Sequence, residues 1–406
     1  MSDDVQKNSS TAWIILAVYC LGTFVYQYTQ YQLAPIAGQL IQSLGLTGVQ
    51  FSSLFTAPMV PAIFLSIIFG IIVDKIGIKK GILVFMLLTA IGGMGRIYAG
   101  NYGLLFTTML LTGFGATALN VTCGKVFSIW FRRSMVPIAM GCFMSAPTLG
   151  MFVAQSTTAL LASVSTAFWI AGVLTVVVLF LWFFLGKDHK VEPGSVEEAS
   201  PSVGETLKVV FSSKNMWLTA FGLFFCLGGQ VACNQFLPLA LASRGMDPAV
   251  AGVTASIVSA GNLVGSLFMP MIAVKAGRNK PFLLVFAVIC TFGYAFGWRL
   301  PGAALYISFF FFGLCASAMM PFFFSMPVQF AEIGPKYAGT GTGLISTIEL
   351  FGAILLPTYI LTPICSGPEG INFNLYFILI GAVFAILFFI FLLLPELGSK
   401  AKRVEA

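Results

Sequence analysis

The sequence predicts an all-α membrane protein with twelve transmembrane helices, and three observations lead to this fold class. Of the 406 residues, 58% are hydrophobic and only 9% are charged, whereas a soluble domain carries about a quarter charged residues. Twelve apolar runs are each long enough to cross about 30 Å of hydrocarbon as a helix. One long hydrophilic stretch, 187–214, divides these runs into six and six.

The predicted spans follow one another through short connections. Those before the hydrophilic stretch are 12–34, 50–73, 81–100, 103–127, 136–160 and 164–186. Those after it are 215–240, 248–273, 281–299, 303–327, 338–363 and 372–394. We therefore predict an N-terminal half (1–186), a central loop (187–214) and a C-terminal half (215–406). Within the loop, 203–211 is compatible with a short amphipathic helix on the membrane surface and equally with a solvated linker.

The basic residues predict the orientation in the membrane. All but three of the 21 Lys and Arg residues fall in the terminal tails or in loops on one side, the exceptions being Arg96, Arg244 and Arg299. Because cytoplasmic loops collect positive charge, both termini are expected in the cytoplasm, with the chain in a bacterial inner (cell) membrane. The net charge of +7 therefore does not indicate a nucleic-acid partner.

Several function classes are excluded by missing patterns. The eight cysteines are scattered without the spacing of a disulfide or metal framework. The chain has no phosphate-binding loop, and its single histidine, His189, lies in the central loop. We expect no enzymatic activity, no metal and no cofactor, and a monomer whose partners are the lipid bilayer and a small-molecule substrate.

A short basic hairpin occurs twice. Its first copy has the pattern Gly70-x-x-x-Asp74-Lys75-x-Gly77-x-Lys79-Lys80. Two hundred positions later, Gly277 and Lys280 repeat Gly77 and Lys80, while Val274 stands in the place of Asp74. A second local pattern is Trp130-Phe-Arg-Arg133, which leads into Gly141-x-x-x-Ser145-x-x-x-x-Gly150.

With these motifs and its six-plus-six spans, the chain resembles the major facilitator superfamily of secondary transporters over essentially its whole length. The resemblance implies two pseudo-symmetric six-helix halves and a central substrate cavity lined by the first, fourth, seventh and tenth helices. It also implies that the first hairpin is a gate that latches one state and is released as the halves rock. The alternative is that Lys75, Lys79 and Lys80 only fix the topology.

Polar residues share one face of the first and seventh spans. Amides in apolar helices need partners, and the resemblance puts these helices at the cavity, so we predict substrate contacts there. Under the offset of two hundred residues, a first-span glutamine matches a seventh-span glutamine. The alternative is that these residues form hydrogen bonds between helices. The predicted substrate contacts are Tyr26, Gln27, Gln30, Tyr31, Gln230 and Asn234, with Asn120 of the fourth span as a weaker candidate.

Two ionisable residues within spans are further candidates. Glu349 is the only acidic residue predicted inside a span, near the membrane midplane, where an ionised carboxylate is costly. We predict that it takes up and releases a proton during transport; a structural hydrogen-bonded glutamate is the alternative. Arg96 near the end of the third span is a candidate ligand for a carboxylate substrate, although an arginine one turn from the interface more often snorkels to water.

The texture of the first span, Gln30-Tyr-Gln-Leu-Ala-Pro35-Ile, and the Trp130 loop look like the nitrate, cyanate and oxalate/formate branches of the family, without their buried basic residues. We therefore predict a secondary transporter that works by alternating access on a small organic solute, with a monocarboxylate favoured. Proton symport and solute exchange are both open, and sodium is an alternative coupling ion.

Two other functions stay open. The aromatic tenth span, with Phe309–Phe312 and Phe322–Phe324, is compatible with a proton-driven exporter of hydrophobic drugs or metabolites. A non-transporting membrane sensor is a remote alternative.

Overall fold

The computed structural model describes residues 10–132, 135–161, 163–187, 203–368 and 370–397. Within these ranges, twelve helices are long and apolar enough to cross a membrane. The predicted number of spans and the all-α class are therefore confirmed, and we number the spans from first to twelfth in chain order.

The first six spans begin and end close to their predicted limits. Their helices are Ser10–Tyr31, Gly48–Thr56 continued by Val60–Ile76, Ile78–Gly95, Tyr102–Trp130, Val136–Thr157 and Val164–Leu185. A short helix, Ala37–Leu44, lies between the first two, and single 3-10 turns occur at Ala57–Met59, Arg96–Tyr98 and Thr158–Leu160.

The second span is the clearest departure from the predicted helices. It was predicted as one helix over 50–73, yet a 3-10 turn interrupts it at Ala57–Met59. Proline has no N–H to donate and its ring collides with the preceding turn. Pro58 and Pro61 therefore account for the interruption.

The last six spans are preceded by a helix in the predicted central loop. That linker helix is Val203–Ser212, and the spans are Lys214–Ser243, Pro248–Ala276, Lys280–Phe296, Ala303–Gln329, Gly334–Leu355 and Phe373–Leu393. The ninth span ends in a 3-10 turn, Gly297–Arg299. The eleventh continues through a π-helical turn, Leu356–Leu361, and a last helical turn, Thr362–Cys365, before an antiparallel pair of two-residue strands, Ser366–Gly367 and Gly370–Ile371.

The chain separates into two compact units, 1–193 with 241–256 and 194–240 with 257–406. In the first unit, the Tyr19 ring is packed against Phe127, Phe143 and Trp182, with ring centroids 5.4 to 6.0 Å from its own. Aromatic pairs at such distances add to the free energy gained by burial.

The core of the second unit contains a comparable aromatic stack. Tyr294 of the ninth span is stacked on Phe384 of the twelfth at 4.5 Å and lies 4.3 Å from Phe312 of the tenth. The ninth, tenth and twelfth spans are therefore joined by aromatic packing.

Each unit also contains close approaches of helix backbones at glycines. A Cβ added at Gly150 of the fifth span would overlap the Phe24 carbonyl oxygen of the first, and one added at Gly352 of the eleventh would overlap the Phe224 carbonyl oxygen of the seventh. Small residues allow membrane helices to pack at this distance. The Gly150 position of the predicted small-residue pattern is thus a packing contact.

Candidate functional site

Tyr26, a predicted substrate contact, has a buried hydroxyl that forms no hydrogen bond with the described residues. Its side chain is 4% exposed, and its ring faces Gly115 of the fourth span. Buried hydroxyls nearly always have a partner, so this one needs an explanation. Its neighbour Gln27 is half-buried.

The other two residues of the first-span stripe contact the second span. The Gln30 amide Nε2 donates to the Phe55 carbonyl at 2.9 Å. The Tyr31 ring meets the Phe55 ring edge-on at 5.0 Å. The interhelical role, which the sequence left as an alternative, is therefore present for Gln30 and Tyr31.

Arg96 lies inside the first unit and is fully buried. Its guanidinium donates to the Thr29 carbonyl at 2.9 Å and to the Gln32 Oε1 at 2.7 Å, and it lies over the Phe168 ring at 4.6 Å. The expectation that Arg96 snorkels to water is wrong, because the first and sixth spans supply hydrogen-bond acceptors and a π face at its own depth.

Gln32 completes this group and was not among the predicted site residues. Its Nε2 donates to the Ala167 carbonyl of the sixth span at 3.1 Å, while its Oε1 accepts from Arg96. The first, third and sixth spans are thereby joined through two side chains. The signal in the sequence was the recurrence of glutamine at 27, 30 and 32, but the pairing with Arg96 depends on helix rotation.

The second unit repeats this arrangement with different chemistry. The Gln235 Nε2 donates to the Tyr376 hydroxyl at 2.9 Å, and that hydroxyl donates to the Ala232 carbonyl at 3.1 Å. Trp298 is stacked on Phe377 at 4.9 Å, as Arg96 lies over Phe168. A hydroxyl of the twelfth span thus donates to a seventh-span carbonyl, whereas in the first unit a guanidinium at the end of the third span donates to a first-span carbonyl.

This match gives the register of the internal repeat at one end of the helices. Ala232 and Gln235 correspond to Thr29 and Gln32, an offset of 203 residues. The match of Gln30 with Gln230, which assumes an offset of two hundred, stays a prediction.

The predicted residues of the seventh span are buried and bonded along their own helix. The Gln230 Nε2 donates to the Cys226 carbonyl at 3.3 Å and lies 3.4 Å from its sulfur, and the Asn234 Nδ2 donates to the Gln230 carbonyl at 2.8 Å. Asn120 of the fourth span is exposed and donates to the Ala116 carbonyl of its own helix at 2.9 Å.

Glu349 lies in the eleventh span and is only 7% exposed. Among the described residues no Lys, Arg or His nitrogen lies within ion-pair distance of it. It is close enough to Cys226 of the seventh span for the two groups to interact electrostatically. One turn further, Gly352 contacts the seventh-span backbone, which explains how the carboxyl is brought to that helix.

The hairpin predicted to act as a gate turns at Gly77 between the second and third spans. Gly77 has φ 91° and Gly277 has φ 74°, a left-handed region that favours glycine. Both copies of the predicted repeat therefore require glycine at the turn. Lys75 and Lys80 are exposed, and the Lys79 carbonyl accepts from the Trp182 indole at 3.1 Å.

Parts of the two predicted motifs lie outside the described side chains. For Gly70 and Asp74 the description is limited to the backbone, which is helical within Val60–Ile76. Arg133 of the Trp130 pattern and residues 188–202 of the central loop, including His189, lie outside the described residues.

The aromatic residues of the tenth span are mostly used in packing. Phe309, Phe312, Phe322 and Phe323 are buried. Phe312 contacts Tyr294, and Phe323 is stacked on Phe391 at 5.3 Å. Within the described part of the chain, no group of three or more His, Cys, Asp or Glu residues is arranged to hold a metal ion.

A family model described as Major Facilitator Superfamily matches residues 19–357. The chain belongs to the major facilitator superfamily. It is accordingly an integral membrane protein and a secondary transporter of small organic solutes, not an enzyme.

Curated relatives are similar at low identity over most of their length. The chain is 23% identical to the probable sulfoacetate transporter SauU of Cupriavidus necator, covering 84% of this chain and 85% of the relative. It is 24% identical to the sialic acid transporter NanX of Escherichia coli, covering 82% of each. It is 22% identical to the 3-(3-hydroxy-phenyl)propionate transporter of Escherichia coli, covering 87% and 90%.

Solved structures confirm the fold. A bacterial homologue of the lysosomal transporter Spinster, in an inward-facing and unoccupied conformation, superposes with a TM-score of 0.78 at 11% identity, covering 95% of this chain and 96% of that chain. The nucleoside transporter NupG superposes with a TM-score of 0.73 at 14% identity, covering 95% and 99%.

Proposed function

We propose that this transporter carries a small monocarboxylate by alternating access and that Glu349 is its proton-coupling residue. The observation that carries the proposal is a carboxyl inside a span, 7% exposed, with no ion pair to a described residue. An unpaired carboxylate at membrane depth is costly, and neutralising it by a proton removes the cost. Such a group suits a cycle in which proton uptake and release accompany substrate movement.

The substrate class is supported by the names of the relatives and by the first-span residues. The similar transporters are named for sulfoacetate, sialic acid and 3-(3-hydroxy-phenyl)propionate, which all carry a carboxylate. Arg96 is enclosed and already bonded to Thr29 and Gln32, so we assign it a positioning role and not a substrate contact. With that arginine engaged, a monoanion taken with a proton is favoured over a dianion.

Within the first unit, we propose that the Tyr26 hydroxyl donates to the substrate and that Gln27 and Gln30 contribute amide groups. Within the second unit, Gln230 lies one turn and Asn234 two turns along the seventh span from Cys226, the neighbour of Glu349, and we propose that both amides contact the substrate. Tyr31, which packs on Phe55, and Asn120, which bonds its own helix, are further proposed contacts.

The remaining expectations are retained as parts of the same proposal. The two six-helix halves rock about the membrane plane, the hairpin Gly70–Lys80 gates one state, and both termini lie in the cytoplasm of a bacterial cell. The protein acts as a monomer. Export of hydrophobic drugs is less well supported, because the tenth-span aromatics that suggested it are packed in the core.

The substrate class is tested by counterflow in proteoliposomes that are loaded with the unlabelled form of each solute. We expect labelled monocarboxylates to exchange and labelled neutral aromatic metabolites to remain outside. Protein-free liposomes and the Tyr26→Phe variant are the controls. Exchange of the neutral aromatics alone would contradict the monocarboxylate proposal and favour drug export.

A further inference from the structure

The linker helix Val203–Ser212 is tied to the start of the eleventh span. The Glu205 Oε1 accepts from the Tyr337 hydroxyl at 2.7 Å and lies 3.6 Å from the Lys336 ammonium. Thr206 and Val210 of the same helix are buried. One face of the linker helix is therefore packed against the protein.

A second carboxylate fixes the junction between the linker helix and the seventh span. The Glu332 Oε1 accepts from the Ser213 hydroxyl and from the Asn215 amide, both at 2.9 Å. Ser213 also accepts from the Met216 backbone N–H at 3.2 Å. The linker helix and the first turn of the seventh span are thus held as one element on the second unit.

The neighbouring face of the linker helix, about 100° around its axis from Thr206 and Val210, is apolar and exposed. Leu207 is 43% and Phe211 is 49% exposed, and they are one helical turn apart. Phe211 meets Trp217 edge-on at 5.7 Å, and the Trp217 indole donates to the Phe211 carbonyl at 2.9 Å. Trp217 is stacked on Phe221, which is 45% exposed on the seventh span.

This exposed face is continuous with the surface that a spanning helix turns to lipid. Phe221 lies inside the span Lys214–Ser243, and tryptophan at a span end typically lies at the headgroup level. Two exposed lysines, Lys208 and Lys214, flank Phe211 along the chain. Apolar side chains beside lysines are the pattern of a helix that lies in the membrane interface.

We propose that the linker helix is a membrane-surface element that binds anionic phospholipid, with Leu207 and Phe211 inserted among the acyl chains and Lys208 and Lys214 on the headgroups. Glu205, the acidic residue of this helix, is occupied by Tyr337 and Lys336 and does not repel the headgroups at this face. The partner is the anionic leaflet of the bilayer. This inference concerns lipid binding and does not depend on the transported substrate.

The test is native mass spectrometry of delipidated protein titrated with phosphatidylglycerol or phosphatidylcholine. We expect preferential binding of phosphatidylglycerol, weakened roughly fivefold for each lysine removed in Lys208→Gln and Lys214→Gln. Arg278→Gln, an exposed cation of the same unit at another loop, is the matched control and should bind like the wild type. Equal binding of the two lipids, or loss in Arg278→Gln as large as in the lysine variants, would overturn the proposal.

Insertion of the apolar face is tested separately in nanodiscs made with brominated phosphatidylglycerol. The Trp217 signal is taken as the difference between the wild type and Trp217→Phe. We expect this signal to be quenched, and Phe211→Ser to reduce the quenching. An unquenched Trp217 would overturn the proposed position of the helix even if the lysines bind headgroups.

Discussion

At the scale of single residues, two tyrosines of the first span differ in how their hydroxyls are satisfied. The Tyr19 hydroxyl lies 2.9 Å from the Thr122 hydroxyl, whereas the Tyr26 hydroxyl has no partner among the described residues. Removing a hydroxyl that stabilises the fold should lower stability, whereas removing one that binds the substrate should lower substrate affinity.

We predict that Tyr26→Phe weakens apparent substrate affinity roughly two- to tenfold, the value of one neutral hydrogen bond, without lowering stability. Tyr19→Phe should instead lower the thermal unfolding temperature and leave affinity unchanged. Counterflow at varied substrate concentration and thermal unfolding in detergent measure the two effects. Loss of stability in Tyr26→Phe with unchanged affinity would assign its hydroxyl to the fold.

Arg96 carries a prediction about stability. Arg96→Gln leaves the Thr29 carbonyl and the Gln32 Oε1 without their charged donor, so we expect a loss of about 2–4 kcal/mol in the free energy of unfolding. Arg278→Gln, at an exposed arginine of the loop before the ninth span, should change it by less than about 0.5 kcal/mol. Thermal unfolding of both variants measures the effect. Equal stability of the two variants would show that the hydrogen bonds of Arg96 do not stabilise the fold.

The sequence predicted single residues unevenly, for a physical reason. Glu349 stood out because one acid among apolar residues is visible in any register. The partner of Arg96 did not stand out, because residues 27, 30 and 32 are all glutamine. Only the rotation of the first span decides which of them contacts the third span. The same holds for Tyr376, which does through its hydroxyl what a guanidinium does in the other unit.

At the scale of elements, the fifth span offers a matched pair of glycines. A Cβ at Gly150 would overlap the Phe24 carbonyl oxygen, whereas one at Gly141 would meet nothing within 4 Å. We predict that Gly150→Ala lowers stability by roughly 1–3 kcal/mol through overpacking. Gly141→Ala should raise it by up to about 1 kcal/mol through helix propensity. Thermal unfolding of the two variants decides; similar effects would refute the close approach of the first and fifth spans.

The linker helix carries a pH dependence. The Tyr337 hydroxyl and then the Lys336 charge hold the pKa of Glu205 below its usual 4.5. Burial raises the pKa of Glu332, but its hydrogen bonds, including those from Ser213 and Asn215, outweigh this and lower it overall. A carboxylate with a lowered folded pKa stabilises the fold above the unfolded pKa, and this contribution is lost as pH falls through the folded value.

We therefore predict that the linker helix is held unchanged from neutral pH down to about 4.5 and loosens below it. The Trp217 fluorescence, taken as the difference between the wild type and Trp217→Phe, reports this transition because Trp217 is packed on Phe211. The double variant Glu205→Gln and Glu332→Gln should show no transition in this range. A transition of the same size in the double variant would assign it to other groups.

Helix number and order were predictable because length and hydropathy suffice for them. The interruption at Ala57–Met59 and the π-helical turn at Leu356–Leu361 were not predicted, although each contains a proline. In a membrane bundle a proline is tolerated by kinks, 3-10 turns or π turns, and the surrounding helices determine which of these forms.

At the scale of the whole molecule, the transporter fold contains a titratable carboxyl, Glu349, within its eleventh span. Membership of the major facilitator superfamily fixes the fold and the transport of small organic solutes. The internal repeat includes side-chain contacts as well as the helices. A glutamine at the end of the first span and one in the seventh span are each hydrogen-bonded to a neighbouring helix of their own unit. We propose that Glu349, the acidic residue of the eleventh span, serves in coupling.

The most direct test of this account is uptake of a labelled monocarboxylate into proteoliposomes with acid outside, compared with counterflow without a gradient. For the wild type and Glu349→Asp, the gradient should drive accumulation above equilibrium. Glu349→Gln should abolish that accumulation while counterflow persists. Accumulation in Glu349→Gln equal to that of the wild type would contradict Glu349 as the coupling residue, and loss of counterflow as well would assign it to the fold or to substrate binding.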